Sequence, residues 1–384
     1  MRTLQPALKN GRYVWDRIHM PEAEFRHRVA VVRERMRREN IDVLLAYGCG
    51  FDSYADATYL SNHIARLPKS QMVLLDQNER LSMLFLGASR GIPSIRKITW
   101  IEDVVATGMD MSKTLPQYLK EHPLAGDTVG LAGARGHMPF DLHEALKKAL
   151  QGKTLKEADG ILEDCRQIKS PAELDQMRRA GRLVGRTMGS LAAFVPHGQT
   201  DRTLEAYLFR QARLEGAEDV RMLIGFPQES NWSLRPSENR PLGSGQTVII
   251  YLAAAYERYW AEAAGTFVVG NEAMTHQDQV AGTRILEQLR QSLVPGQKTT
   301  EGYRKIMDLI EDSGQRFIHN YGLMHGIGLS IEEAPFFGET KSGELEPGMC
   351  FSLRLTFQDD QLGAVMTGDT LAMTDTGIEI LTKR

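Results

Sequence analysis

Four residues in the second half of the chain are of types that do chemistry. They are Tyr251 and Glu262 in VIIYLAAAYERYWAEAAGTFVVG, His325 in MHGIG, and Arg354 in CFSLRLTFQ. VIIYL and GTFVV read as strands, and the polar-aromatic segment AAAYERYW between them reads as the connection of an antiparallel pair. Strand geometry then points Tyr251 and Glu262 into one site, and only one of the two is a carboxylate. A glutamate flanked by apolar residues is costly to bury unless paired, and Arg354 or His325 is the natural partner. A buried Glu–Arg ion pair is the plain structural alternative to a catalytic carboxylate. A lone histidine is commonly just a buried one bonded to a carbonyl. Here His325 precedes Gly326-Ile327-Gly328, whose glycines let the backbone approach a ligand closely, and this favours a functional reading. Tyr259 and Trp260 are ordinary strand aromatics, Trp260 above all a core residue.

Such residues need a frame. A chain of 384 residues predicts two or three domains. With 42% hydrophobic and 25% charged residues it has the balance of a globular enzyme. The 46 basic residues nearly match 49 acidic ones, which argues against nucleic acid or an anionic membrane as partner and for a small molecule. Cys49, Cys165 and Cys350 form no CxxC, so neither a disulfide framework nor a structural zinc is indicated, and a reducing compartment is expected. The first residues carry no apolar signal region and no run is long enough to span a bilayer, so the expected location is cytoplasmic.

The run PEAEFRHRVAVVRERMRREN predicts an amphipathic helix, followed by strands at IDVLLAYG, QMVLLD, LSMLFLG and TVGLAG, with helices at PQYLKEHPLAG and PFDLHEALKKALQG. This alternation describes an α/β domain. Ser170-Pro171-Ala172-Glu173 is a capping box with proline in the first turn, and it opens a long helix beyond a linker near residues 152–164. Helices interleaved with antiparallel strands then predict an α+β second domain. The boundaries are set at 1–160 and 161–384.

From Ile168 to Thr382 the chain resembles the creatinase/aminopeptidase P/methionine aminopeptidase superfamily, in the segments IKSPAELDQMRRA, RPLGSGQTVIIYL, GTFVVG, MHGIGLSIEEAP, LEPGMCFSL and GDTLAMTDTGIEILT. The resemblance implies a pita-bread catalytic domain, preceded by a creatinase/prolidase-like N-terminal domain. Metal-dependent members need two Asp, one His and two Glu for two ions, an oxygen-rich set suited to Mn, Co or Fe. At the corresponding positions this chain has Tyr251, Glu262, His325, Arg354 and Gly368. One fixed cation and the loss of three anionic ligands predict no metal and no cofactor.

The resemblance further implies a metal-independent, creatinase-like hydrolase or lyase that cleaves a C–N or other C–heteroatom bond in a small, carboxylate-bearing molecule. His325, Glu262 and Glu333 are its expected catalytic residues, and Tyr251, Arg354, Glu332, Arg235 and Tyr259 its expected substrate contacts. Where creatinase carries its proton-shuttling histidine this chain has NWSLRPSEN, with Ser233 the nearest equivalent. The loop YLSNHIARLPKS resembles the one that reaches a partner's active site in creatinase-like dimers, which adds His63 and Arg66 and predicts a homodimer. A non-catalytic pita-bread binding module and a metal-dependent Xaa-Pro peptidase stand as the two alternatives.

Overall fold

The computed structural model describes residues 15–50, 54–65, 69–134, 137–277, 280–340 and 343–383, side chains at 275–280 excepted. The chain divides into two compact units, Met1–Arg166 and Gln167–Arg384.

The first unit is built on a mixed sheet of β1 (Val43–Cys49), β2 (Ser70–Asp76), β3 (Leu81–Phe85), β4 (Asp103–Ala106), β5 (Thr128–Ala132) and β6 (Thr154–Glu157). Their order is β4-β3-β2-β1-β5-β6. β1 runs antiparallel to β2 and parallel to β5. The near-continuous apolar run VLLAY buries β1, as expected of a central strand covered on both faces. Helix Met111–Glu121 starts earlier than PQYLKEHPLAG predicts, because Asp110 caps it by accepting from the Ser112 amide and Pro116 lies inside it.

The second unit opens on helix Pro171–Gly189, where both halves of the predicted capping box are formed. It carries a nine-stranded sheet. β7 (Asp219–Gly225), β8 (Thr247–Tyr256), β9 (Tyr259–Val269), β11 (Met324–Gly326), β12 (Glu333–Phe336), β13 (Cys350–Asp359) and β14 (Gly363–Thr374) run in the order β12-β11-β13-β14-β9-β8-β7. β10 (Met274–Gln277) adds to β9 and β15 (Gly377–Ile380) to β14. Among the described residues every strand pair in it is antiparallel.

The β8–β9 connection differs from the expected one. AAAYERYW is mostly strand, and the turn is only Glu257-Arg258, both at positive φ (45° and 75°). Non-glycine residues disfavour that conformation. It is held because the Arg258 amide donates to Glu218 Oε2 at 2.8 Å and its guanidinium bonds Glu257.

Register places the chemistry on one sheet face. Tyr251 pairs with Ala264, Ala253 with Glu262, Gly368 with both Ala264 and Arg354, and Ser352 with His325. Directly paired residues point to the same side, and so do residues two apart on one strand. Tyr251, Glu262, Thr370, Arg354, Ser352 and His325 therefore share a face.

Candidate active site

Glu262 is the hub of that face and is only 1% exposed. Its Oε2 accepts from Tyr251 Oη at 2.7 Å and its Oε1 from Ser352 Oγ. Arg354 Nε lies 3.3 Å from Oε1, close enough for an ion pair. The backbone under this carboxylate is fixed by one hydroxyl: Thr370 Oγ1 accepts from the Glu262 amide and donates to its carbonyl, each at 2.8 Å. A carboxylate with two hydroxyl donors and a guanidinium is satisfied in place of water.

His325 Nδ1 is 2.9 Å from the Gly326 carbonyl. A carbonyl can only accept, so Nδ1 carries the proton and Nε2 presents its lone pair. That lone pair accepts from Arg354 Nη2 at 2.7 Å. Arg354 thus bridges the acid and the imidazole, and it also lies 3.8 Å from the exposed carboxylate of Glu332. Burial, and then the Glu262 charge, push the Tyr251 phenol well above its usual range, so Tyr251 is a neutral donor to Glu262.

Gly368 makes room for the guanidinium stem. A Cβ there would sit 3.0 Å from Ala264 Cβ and 3.3 Å from Arg354 Cγ.

The structure brings together Tyr251, Glu262, His325, Arg354 and Glu332. It engages the other expected residues elsewhere. Glu333 Oε1 is 2.6 Å from Lys169 Nζ in a buried ion pair. Tyr259 Oη donates to the capping-box glutamate, Glu173, at 2.8 Å. Arg235 pairs with Glu229 and Glu238. His63 is buried in the first unit with Nδ1 against Gln71 Oε1. Arg66 lies outside the described residues. Ser352, Thr370 and Lys169 are not among the residues that the sequence singles out. Ser352 could have been found from strand alternation, since it stands two residues before Arg354.

A nine-stranded antiparallel sheet with its polar cluster on one face, in a chain that begins with a separate α/β unit, fits the pita-bread class of hydrolase folds. The comparisons agree. The profile of metallopeptidase family M24 matches residues 175–375, and that of the creatinase/prolidase N-terminal domain matches residues 28–168. The chain belongs to metallopeptidase family M24, a family of hydrolytic enzymes. It is 25% identical over 258 residues to an Xaa-Pro dipeptidase of Pyrococcus horikoshii, spanning 65% of this chain and 72% of that one. The solved structure of the prolidase from Pyrococcus horikoshii OT3 superimposes with a TM-score of 0.75 at 20% identity, over 93% of this chain and 98% of that one. Aminopeptidase P from E. coli does so with a TM-score of 0.69 at 19% identity, over 94% and 96%. At these identities the structural likeness speaks for the fold.

These findings correct the expected reaction. The relatives are named as peptidases, so the creatinase-like cleavage of a small non-peptide molecule is withdrawn, and with it the placement of the chain outside the metallopeptidases.

The family name implies a metal, and the residues present do not fit one. On the shared face the carboxylate beside Arg354 is Glu262, and it is ion-paired. The imidazole lone pair that would bind an ion is taken by Arg354. Among the described residues no group of three or more His, Cys, Asp or Glu could hold a metal ion. A fixed guanidinium is a poor neighbour for divalent ions, which are held by anionic oxygen and neutral imidazole. Among the described residues no helix is long and apolar enough to cross a membrane.

Proposed function

We propose that the chain is a peptidase-type hydrolase that takes short peptides, of the Xaa-Pro kind after which its relatives are named, onto the polar sheet face of the second unit. It does so without a dinuclear metal centre. The observation that carries this reading is Arg354, hydrogen-bonded to His325 and ion-paired with Glu262 where the resemblance calls for an anionic ligand. A guanidinium there supplies the fixed positive charge that stabilises a developing oxyanion at an amide carbonyl. In the resting arrangement the Nε2 lone pair of His325 is occupied. A bound peptide that draws Arg354 toward itself frees that lone pair beside Glu262, and the two groups can then take up and return a proton.

The mutual pairing of Glu262, His325 and Arg354 also favours a second reading, a module that binds peptides without turning them over. One experiment decides between them. Purified protein is incubated with a panel of Xaa-Pro dipeptides, with added Mn or Co or with a chelator, while products are followed by mass spectrometry and binding by calorimetry. Equal product with and without chelator, and well under one equivalent of Mn, Fe, Co or Zn by elemental analysis, is the expected result. Binding with no product selects the module. Turnover that requires two ions per chain overturns the metal-free reading. The same proposal places the protein in a reducing cytoplasm, supported by three cysteines that form no CxxC, and as a homodimer, which light scattering tests.

A further inference from the structure

The guanidinium of Arg354 has five N–H bonds, and the protein uses only part of them. Nε faces Glu262 Oε1 at 3.3 Å. One Nη2 proton goes to His325 Nε2 at 2.7 Å. The other Nη2 proton is left to Glu332, whose Oε1 lies at 3.8 Å, beyond hydrogen-bond length, on a side chain that is 64% exposed. Nη1 has no acceptor among the described residues. The Arg354 side chain is 16% exposed. A mostly buried guanidinium therefore has spare N–H bonds on Nη1 and Nη2, the two nitrogens of its terminal edge. Two parallel N–H bonds from such an edge match a carboxylate.

Glu332 is itself a carboxylate placed beside that edge, and its place is fixed by its neighbour. Glu333 is buried and its Oε1 is 2.6 Å from Lys169 Nζ, while the Lys169 amide donates to the Gly348 carbonyl at 3.0 Å. Gly328 lies so close to this pair that a Cβ would overlap the Glu333 carboxylate. Gly326 pairs with Glu333 across β11 and β12. The clamp holds the segment by residue 333 and leaves residue 332 at the surface, facing Arg354.

We infer that the terminal edge of Arg354 is a receptor for a ligand carboxylate, and that Glu332 is a built-in competitor which such a ligand must displace. The inference rests on the proposal that this polar sheet face is the ligand site, and it narrows the ligand to one ending in a free carboxylate. Glu332 would then set a threshold. Neutral or amidated ligands cannot displace it, because they offer no charge in exchange.

The test uses two pairs of probes on the whole protein: Gly-Pro and its C-terminal amide by calorimetry, and acetate and acetamide by the NMR signal of the Arg354 Nε–H. Glu332→Gln, at an exposed position, keeps the fold. It should tighten Gly-Pro and acetate by about fivefold, the equivalent of one exposed ion pair, and leave both amides unchanged. Arg354→Lys, which retains the charge opposite Glu262, should lose most of the preference for acid over amide, since an ammonium cannot make the two parallel bonds. If Gly-Pro fails to bind either protein while acetate still prefers Glu332→Gln, the peptide reading falls and the carboxylate receptor stands. Equal affinity of wild type and Glu332→Gln for acetate, or equal tightening of acid and amide, overturns the inference.

Discussion

In the N-terminal unit Thr58, His63 and Gln71 are buried together, and they tie one another to the backbone. Thr58 Oγ1 and Gln71 Nε2 both donate to the His63 carbonyl, at 2.7 and 2.8 Å, and Ser61 Oγ accepts from the His63 amide. In the C-terminal unit Tyr251, Glu262, Ser352, Arg354 and His325 are joined side chain to side chain, two of them carry charge, and one guanidinium nitrogen is left over. The first network ends on a backbone carbonyl and pins a loop to its own strand. The second carries a Glu262–Arg354 ion pair on one face of a sheet and leaves guanidinium N–H bonds without close acceptors. Burial of polar groups is thus no mark of function by itself. What distinguishes a site is where the bonds end and whether any donor remains.

That contrast can be broken most directly at Glu262. Glu262→Ala strands Arg354 in a largely buried position and should cost about 3–5 kcal/mol in urea unfolding. Adding Arg354→Met should then regain at least about 1 kcal/mol, because the orphaned charge is withdrawn with its partner. Strictly additive losses would mean that the two charges are not coupled. In the N-terminal network, Gln71→Leu should cost about 1–3 kcal/mol through unpaired neutral groups, and peptide affinity should not change with it. A change in affinity would erase the distinction between the two networks.

The pH dependence sharpens the comparison further. The Tyr251 phenol is held well above 10, first by burial and then by Glu262. Above pH 10 the unfolded chain releases that proton and the folded one keeps it, so this contribution to stability is complete below pH 10 and is lost as pH rises. Wild type should lose up to about 1.4 kcal/mol per pH unit more than Tyr251→Phe above that point. Parallel curves would show that the phenol titrates normally. The smallest effect is expected at Cys350, whose thiol burial pushes up to about 12. A disulfide reagent at pH 8 should leave Cys350 unmodified until denaturant is added, while the half-buried Cys49 and Cys165 react first.

Much of this site was legible in the sequence. Strand alternation alone turned Tyr251 and Glu262 to one side, and the cost of burying a carboxylate named Arg354 or His325 as its partner before any distance was known. The Glu257-Arg258 turn was not legible, since neither residue favours positive φ and the Glu218 that supports it stands 40 residues away. The Lys169–Glu333 ion pair, which takes Glu333 out of the expected catalytic set, escaped for the same reason, its members being 164 residues apart. The substrate class was misread on different grounds. Residue types fix the charge of a pocket, whereas the bond that is broken depends on a ligand the chain does not encode.

Gly368 has a consequence for how this chain could change over generations. A carboxylate regained at 368 alone would meet Ala264 Cβ and the Arg354 stem. It would then be captured by the guanidinium as an ion pair instead of waiting for a metal. A regained acid at 354 alone would face Glu262 with no cation between them, an uncompensated pair of like charges in a dry place. Each single substitution toward the acidic ligand set therefore passes through a less stable protein, and the guanidinium works against both.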